Sequence, residues 1–535
     1  MKQPLLLALL LLGTYASLSA QVADPAPSIQ PSALTYQLEE VLTVPNSRSS
    51  IPRARINLLH ELPDGSGRLF VNDLNGPAYL IEGQTTTEYL DMREAFPQFI
   101  STPGKGTGFG AFAFHPAFGS NGICYTTHAE RTGSGTVDFA PQTNGNIALE
   151  WVLVEWTATD PAANTFQGTR REVLRFSFPS AIHGLQDLAF NPLATPDSAD
   201  YGLLYLCIGE GGSMQLGRES DLQHPMAYQG TIFRIDPMGV NGINGQYGIP
   251  ANNPAAQDAN ALGEVWCSGF RNPHRISWDL GGDHKMLIGD IGESNIEEVN
   301  LGLAGANYGW SEREGTYEFR GQNQRYEVWP LPAQDTGYVY PVAQYDHSDG
   351  YAVVGGFVYR GQALPELRGQ YLCGDIATGR LFHAPVDSLL LGRQYPLQEI
   401  QLLDENGEPS SLVDAVPGSR PDLRFGQDAA GEVYLLTKAD GKIRRLVSPS
   451  VTRIAASPDL GAGTWLPNPT TGSLRFQANQ FSLDGLEVTL FGMDGRRHVS
   501  SQETQLDVAA LPAGMYLLRW HNRLGNRGQQ WLRKE

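Results

Sequence analysis

The sequence predicts an all-β protein, a six-bladed β-propeller followed by a small C-terminal β-sandwich. Three observations carry that reading. A short apolar phrase, opened by Gly or a small polar residue and often closed by Gly-Asp or an equivalent, recurs six times. The copies are SGRLFVND (66–73), NGICYTTH (121–128), YGLLYLCIGE (201–210), DHKMLIGD (283–290), RGQYLCGD (368–375) and AGEVYLLT (430–437). Several copies are followed about ten residues on by a second β run: PAYLIE, GTIFRIDP, GRLFHAP and GKIRRLV. A strand, a tight turn and another strand, repeated, is how propeller blades read in sequence. Composition agrees: 60 Gly, 35 Pro and only 18% charged residues suit loop-rich β structure. An array of β-sandwiches is the rival reading of the same repeat.

Taken in order, residues 1–20 read as a secretory signal peptide. Lys2 precedes an apolar run from Leu5 to Leu12, and small residues follow from Gly13 to Ala20. That run is shorter than the roughly 20 residues a bilayer needs, and no later segment is apolar for long enough, so no membrane span is expected. Residues 21–35 read as a linker and 36–447 as the propeller. The repeat copies lie about 55 to 85 residues apart, whereas a blade takes about 40 to 50. The excess is expected in inserted loops, where sites are built. After Val447 the chain turns rich in Ser, Pro, Gly and Ala, so 448–465 reads as a second linker. Residues 466–535 hold β runs separated by Pro-Asn-Pro, Asp-Gly and Pro-Ala-Gly turns, hence the small sandwich.

With 57 acidic and 38 basic residues the formal charge is −19. That argues against nucleic acid, whose binding rests on Lys and Arg at phosphates. Cys124, Cys207, Cys267 and Cys373 lie far apart, each inside an apolar run, with no metal-ligand spacing. They are expected to be buried thiols or to form at most one bridge.

Several stretches between Leu42 and Val447 resemble the glucose/sorbosone dehydrogenase family, which includes soluble pyrroloquinoline quinone (PQQ) sugar dehydrogenases and is related to Hedgehog-interacting-type proteins. The matching pieces include GAFAFHPAFGSNG (110–122), IHGLQDLAFNP (182–192), GFRNPHRISWD (269–279), IGDIGESNIEEVNLGLAGANYGW (288–310) and YDHSDGYAVVGGFVYRG (345–361). The resemblance implies oxidation of an aldose at its anomeric carbon, with hydride passing to PQQ and electrons leaving to an external acceptor. It implies His183 as the base that takes the hydroxyl proton, a role imidazole suits near neutral pH. It implies Arg271 beside the quinone carbonyl, Asn272 as a further cofactor contact and Arg424 as a late PQQ-binding arginine. It implies a calcium ion on backbone carbonyls of Gly292 and Glu293, oxygen ligands that suit this hard cation.

The chain also departs from the family pattern. Gly106 stands where a Gln is expected near the substrate, and Ala377 where a Lys pairs with a PQQ carboxylate. Ile182 replaces an Asp before the histidine in some members, and Arg380 is the candidate to replace the lysine. His347, with Asp346 and Asp349, is either a metal or sugar contact or a turn that satisfies itself. The second reading is therefore a non-catalytic cell-surface propeller that binds a glycan or protein partner. A calcium-dependent hydrolase lacks a nucleophile. The last unit resembles the C-terminal sorting domain of type IX secretion, through Pro467-Asn468-Pro469 with Gly472, Asp494-Gly495-Arg496, Leu511 and Ala513-Gly514-Met515-Tyr516. That implies the type IX machinery as a partner and a secreted or cell-surface location.

Overall fold

The computed structural model describes residues 21–23, 25–143, 145–449, 464–477, 483–492, 496–523 and 527–535. The expected signal peptide, most of the second linker and Asp494-Gly495 lie outside the described residues. The chain divides into two compact units, meeting in sequence at Pro449 and Ser450.

The first unit is built from six four-stranded antiparallel sheets taken in chain order. Their innermost strands are Ile56–Glu61, Phe109–Phe114, Leu185–Phe190, Pro273–Trp278, Phe357–Val358 and Leu423–Gln427. These six strands neighbour one another in a closed cycle, the last returning to the first. Each repeated phrase supplies the second strand of a sheet: Leu69–Asp73, Ile123–Glu130, Leu204–Ile208, Met286–Asp290, Gln370–Gly374 and Val433–Thr437. The runs that follow, such as Pro77–Glu82, Thr231–Ile235, Leu381–Pro385 and Lys442–Val447, are third strands. This is the connectivity the sequence predicts for six blades.

The sixth sheet takes its outer strand from the other end of the chain. Gln30–Thr43 pairs antiparallel with Lys442–Val447 and also runs parallel to Gln398–Leu403. The stretch expected as a linker over 21–35 therefore runs into this strand at Gln30. Upstream of it, the backbone amides of Ala26 and Ile29 donate to Asp346 and Asp349.

The inner strand Phe109–Phe114 reads as a continuous apolar run, FGAFAF, because both of its faces are covered, and it is wholly buried. Sheets pack face to face through large rings. Phe70 of the first sheet meets Phe112 and Phe114 of the second at 4.5 and 5.0 Å, edge to face. The axis is filled as well. Arg275 of the fourth sheet donates to the carbonyls of Gln186 in the third and Asn57 in the first, both at 2.9 Å. All four cysteines are buried and unbridged. Among the described residues no helix is long and apolar enough to cross a membrane.

The second unit has two small antiparallel sheets, one of three strands and one of four. Tyr516, Leu518 and Trp520 alternate inward along Gly514–His521 and join Trp465, Leu474 and Phe476 of the other sheet in one apolar cluster.

Candidate active site

The repeated phrase does more than make strands. Its closing acid sits where the second strand ends, beside the segment that leads into the innermost strand of the same sheet. Asp290 accepts the backbone amides of Arg271 and Asn272 at 3.1 and 2.7 Å. Asp375 accepts those of Tyr351 and Ala352, both at 2.6 Å. Glu210 does the same service to a side chain, receiving His183 Nδ1 at 2.7 Å. The acids thus brace the loops at one end of the ring, and those loops carry the residues singled out in the sequence.

His183 lies just before the strand Leu185–Phe190 and holds a left-handed backbone, φ 52°. A non-glycine residue is kept there only when its surroundings fix it. They do: its carbonyl receives the Gly211 amide at 3.1 Å, and Glu210 binds its ring. Glu210 is wholly buried and also accepts the amides of Gly212 and Met214, both at 2.8 Å. With Nδ1–H donated to the carboxylate, the lone pair of Nε2 is left as an acceptor. Burial pushes the His183 pKa below its ordinary value and the Arg271 charge adds to this, while Glu210 opposes it. Burial resists ionisation of Glu210, yet the His183 hydrogen bond and the Arg271 charge hold its pKa below the usual range. The pair is therefore a neutral imidazole on a carboxylate.

Arg271 reaches across to the loop after the second strand of its own sheet. Its Nε meets Glu293 Oε2 at 2.8 Å, and its guanidinium donates to the carbonyls of Ile291, at 3.1 Å, and Gly292. Burial works against its charge, but Glu293 and Glu210 outweigh it and hold the pKa above the ordinary value. The loop is fixed from beneath. One Glu314 oxygen accepts four successive amides, Glu293 to Ile296, at 2.8 to 3.2 Å. A side chain on Gly292 would fall 1.7 Å from the Ile296 carbonyl, so glycine is required there. The two halves of the site meet at Gly209, where an added Cβ would lie 2.5 Å from the His183 carbonyl and 2.8 Å from Asn272 Oδ1.

The structure thus brings His183, Arg271, Asn272, Gly292 and Glu293 together, and adds Glu210, which sequence reasoning missed. It also answers the departures. Gln186 donates to the Gly106 carbonyl at 2.9 Å, and its amide nitrogen lies 1.9 Å from where a Cβ at 106 would be. An amide thus returns to that space from another strand. Arg380 is engaged elsewhere, by Asp349 at 2.7 Å and Glu399 at 2.8 Å, so it does not replace the lysine. His347 bonds Glu297 at 2.9 Å, and Asp346 and Asp349 hold the N-terminal segment, so these three brace a turn.

Whether these residues suit a quinone and calcium can be tested on their bonding. Of the two carbonyls expected for calcium, that of Gly292 already accepts from the Arg271 guanidinium, and the Glu293 side chain pairs with the same guanidinium. A multiply charged anion fits better. Arg424, the further arginine singled out in the sequence, lies in a buried group with Arg55, Arg275 and Lys438. Every hydrogen bond these four make goes to a neutral oxygen. Arg275 Nε and His274 Nε2 are buried with no partner at all. Burial and mutual repulsion push Arg424 down to about 9 and Lys438 well below its ordinary value.

The Glucose / Sorbosone dehydrogenase family profile matches residues 57–445. The HIPL2 protein of Arabidopsis thaliana is 27% identical over 448 residues, 74% of this chain and 62% of that protein. The Hedgehog-interacting protein of Mus musculus is 27% identical over 407 residues, 72% of this chain and 50% of the relative. The chain thus spans less than two thirds of the length of either. Quinoprotein glucose dehydrogenase B of Acinetobacter calcoaceticus is 25% identical over 226 residues, 41% of this chain and 43% of the relative. A solved glucose dehydrogenase superposes with a TM-score of 0.55 at 20% identity, covering 77% of this chain and 100% of that one, which speaks for the fold. On the span of the profile match, the chain belongs to the glucose/sorbosone dehydrogenase family.

Proposed function

We propose that the protein is an exported quinoprotein-type sugar dehydrogenase that oxidises an aldose at its anomeric carbon. The observation that carries this reading is the buried His183–Glu210 pair, set beside Arg271 in a family of sugar dehydrogenases. PQQ, when bound, supplies the two-electron acceptor. His183 Nε2 takes the proton of the anomeric hydroxyl, and Glu210 stabilises the imidazolium that results. The Arg271 guanidinium, held by Glu293, places a fixed positive charge where negative charge develops. No step is assigned to calcium, because the Gly292 carbonyl expected to hold it is engaged by Arg271. Export rests on the leader-like residues 1–20 and on the sorting-domain resemblance of 466–535, with an external electron acceptor and the type IX machinery as partners.

The test is dye reduction by the purified protein with PQQ and a panel of aldoses. Turnover is expected with at least one sugar, and His183→Ala should lower it by about 10²- to 10⁴-fold. Wild-type turnover in that variant would remove His183 from its role. A second reading, a surface propeller that binds a glycan or protein without catalysis, is favoured by the Hedgehog-interacting relatives and by the missing lysine at 377. Binding of a sugar without dye reduction at any PQQ concentration would support it.

A further inference from the structure

Buried arginines elsewhere in the first unit have anionic partners. Arg68, Arg175, Arg234, Arg271, Arg313 and Arg444 each have a carboxylate within 3.3 Å. The cations on the ring axis do not. Three of them converge instead on one asparagine: Arg424 Nε and Lys438 Nζ on Asn57 Oδ1, at 3.1 and 3.3 Å, and Arg275 on the Asn57 carbonyl at 2.9 Å. Arg55, the fourth, donates to Ser101 Oγ and to the carbonyls of Lys105 and Thr107. A buried cation without an anion is costly, and a protein that keeps several together has a reason to do so.

The repeat locates the imbalance. Four of the six copies close on an acid, Asp73, Glu210, Asp290 and Asp375, and the second closes on His128. In the last copy Thr437 takes that place and Lys438 follows it. The sixth sheet thus carries a buried ammonium, 4% exposed, where most others carry an acid, at the same end of the ring as the His183 loop. The opposing charges nearby are few. Asp422 acts on Arg424, Lys438 and Arg55, Asp73 acts on Arg55, and Asp187 acts on Arg275 but is itself pushed up to about 6 by burial. The group is tied to the His183 strand. Arg55 holds the carbonyls on either side of Gly106, and Gln186 holds the carbonyl of Gly106 itself.

We propose that Lys438, Arg424 and Arg55, gathered about Asn57, form the subsite that takes carboxylates of the quinone, in place of the lysine absent at 377. The assignment rests on the quinoprotein reading, but its chemistry is that of any compact polycarboxylate. The two can therefore be separated by using PQQ and citrate as probes, in calorimetry on the full chain without substrate.

PQQ is expected to bind the wild type, at least tenfold more weakly to Lys438→Met and Arg424→Met, and unchanged to His183→Ala. Citrate should compete. Citrate binding that depends on Lys438, with no PQQ binding, would uphold the subsite and sink the quinoprotein reading. Equal affinity of wild type and both Met variants for either probe, or no binding of either probe, would overturn the subsite. Thermal melting guards against misfolding. Removing a buried, unpaired charge should leave the ligand-free Tm of Lys438→Met unchanged or raise it, whereas a lysine kept for structure would lower it. Lys438→Gln, which retains a donor to Asn57, is the second variant and should also bind PQQ at least tenfold more weakly.

Discussion

At the scale of single residues, the site turns on the hydrogen bond between His183 and Glu210. It fixes which ring nitrogen can accept a proton, while burial, with the positive charge of Arg271 added, keeps the ring neutral. The sign of the pH dependence follows. A histidine whose pKa is lowered in the folded protein is deprotonated at neutral pH and is protonated only as the pH falls below 6.5. The acid limb of turnover should therefore lie below that value, and NMR titration of the His183 ring in the free protein should show the same midpoint. A midpoint above 6.5 would contradict the burial and the Arg271 charge that lower it. Glu210→Gln should lower turnover by about 10²-fold or more, because the amide no longer balances the imidazolium or dictates the tautomer. Steady-state dye reduction reads this directly. His183 could be found in the sequence through its family motif. Glu210 could not be paired with it, although IGEGG was in plain view. The two are 27 positions apart, and a pairing across two strands and their loops depends on register that no local pattern states.

At the scale of elements, the loop after Met286–Asp290 is held by its own acids. Asp290, Glu293, Glu297 and Glu298 each have a structural duty. Asp290 holds the turn into the inner strand, Glu293 holds Arg271, and Glu297 accepts His347 and the Val353 amide. Glu298 accepts the Gly315 amide at 2.6 Å and is pushed up to about 7, chiefly by burial. Glu314, which no motif singled out, is the keystone. Glu314→Ala would strip the acceptor from four amides, two of them buried, and about 3 kcal/mol of stability should be lost, read by denaturant unfolding. Hydrogen exchange should accelerate first across residues 293–296. The strands themselves were legible where they repeat. Second and third strands appear as the recurring phrase and the run after it. The outer strand Gln30–Thr43 was only half seen, because its mostly exposed, polar-rich pattern lacks the apolar alternation that marks a half-buried strand.

At the scale of the whole molecule, ring closure joins the two ends of the first unit. The sixth sheet has three strands from the end of the unit and one from its beginning. Deleting residues 21–43 should leave that sheet with an open edge and lower the melting temperature of the unit, or prevent soluble expression. Melting unchanged from the full chain would contradict the closure. The six-fold architecture was readable because each sheet repeats the same phrase, and the long insertions that dilute the repeat carry the bracing loops. The cation group on the axis was not readable: Asn57, Arg275, Arg424 and Lys438 come from three sheets and meet only when the ring closes.

Titrating PQQ into the purified protein in a calorimeter shows whether this ring holds a quinone beside a histidine base. Saturable binding at one site per chain is expected, surviving His183→Ala while the variant's dye reduction collapses. The absence of any PQQ binding to the wild type would rule the quinone site out.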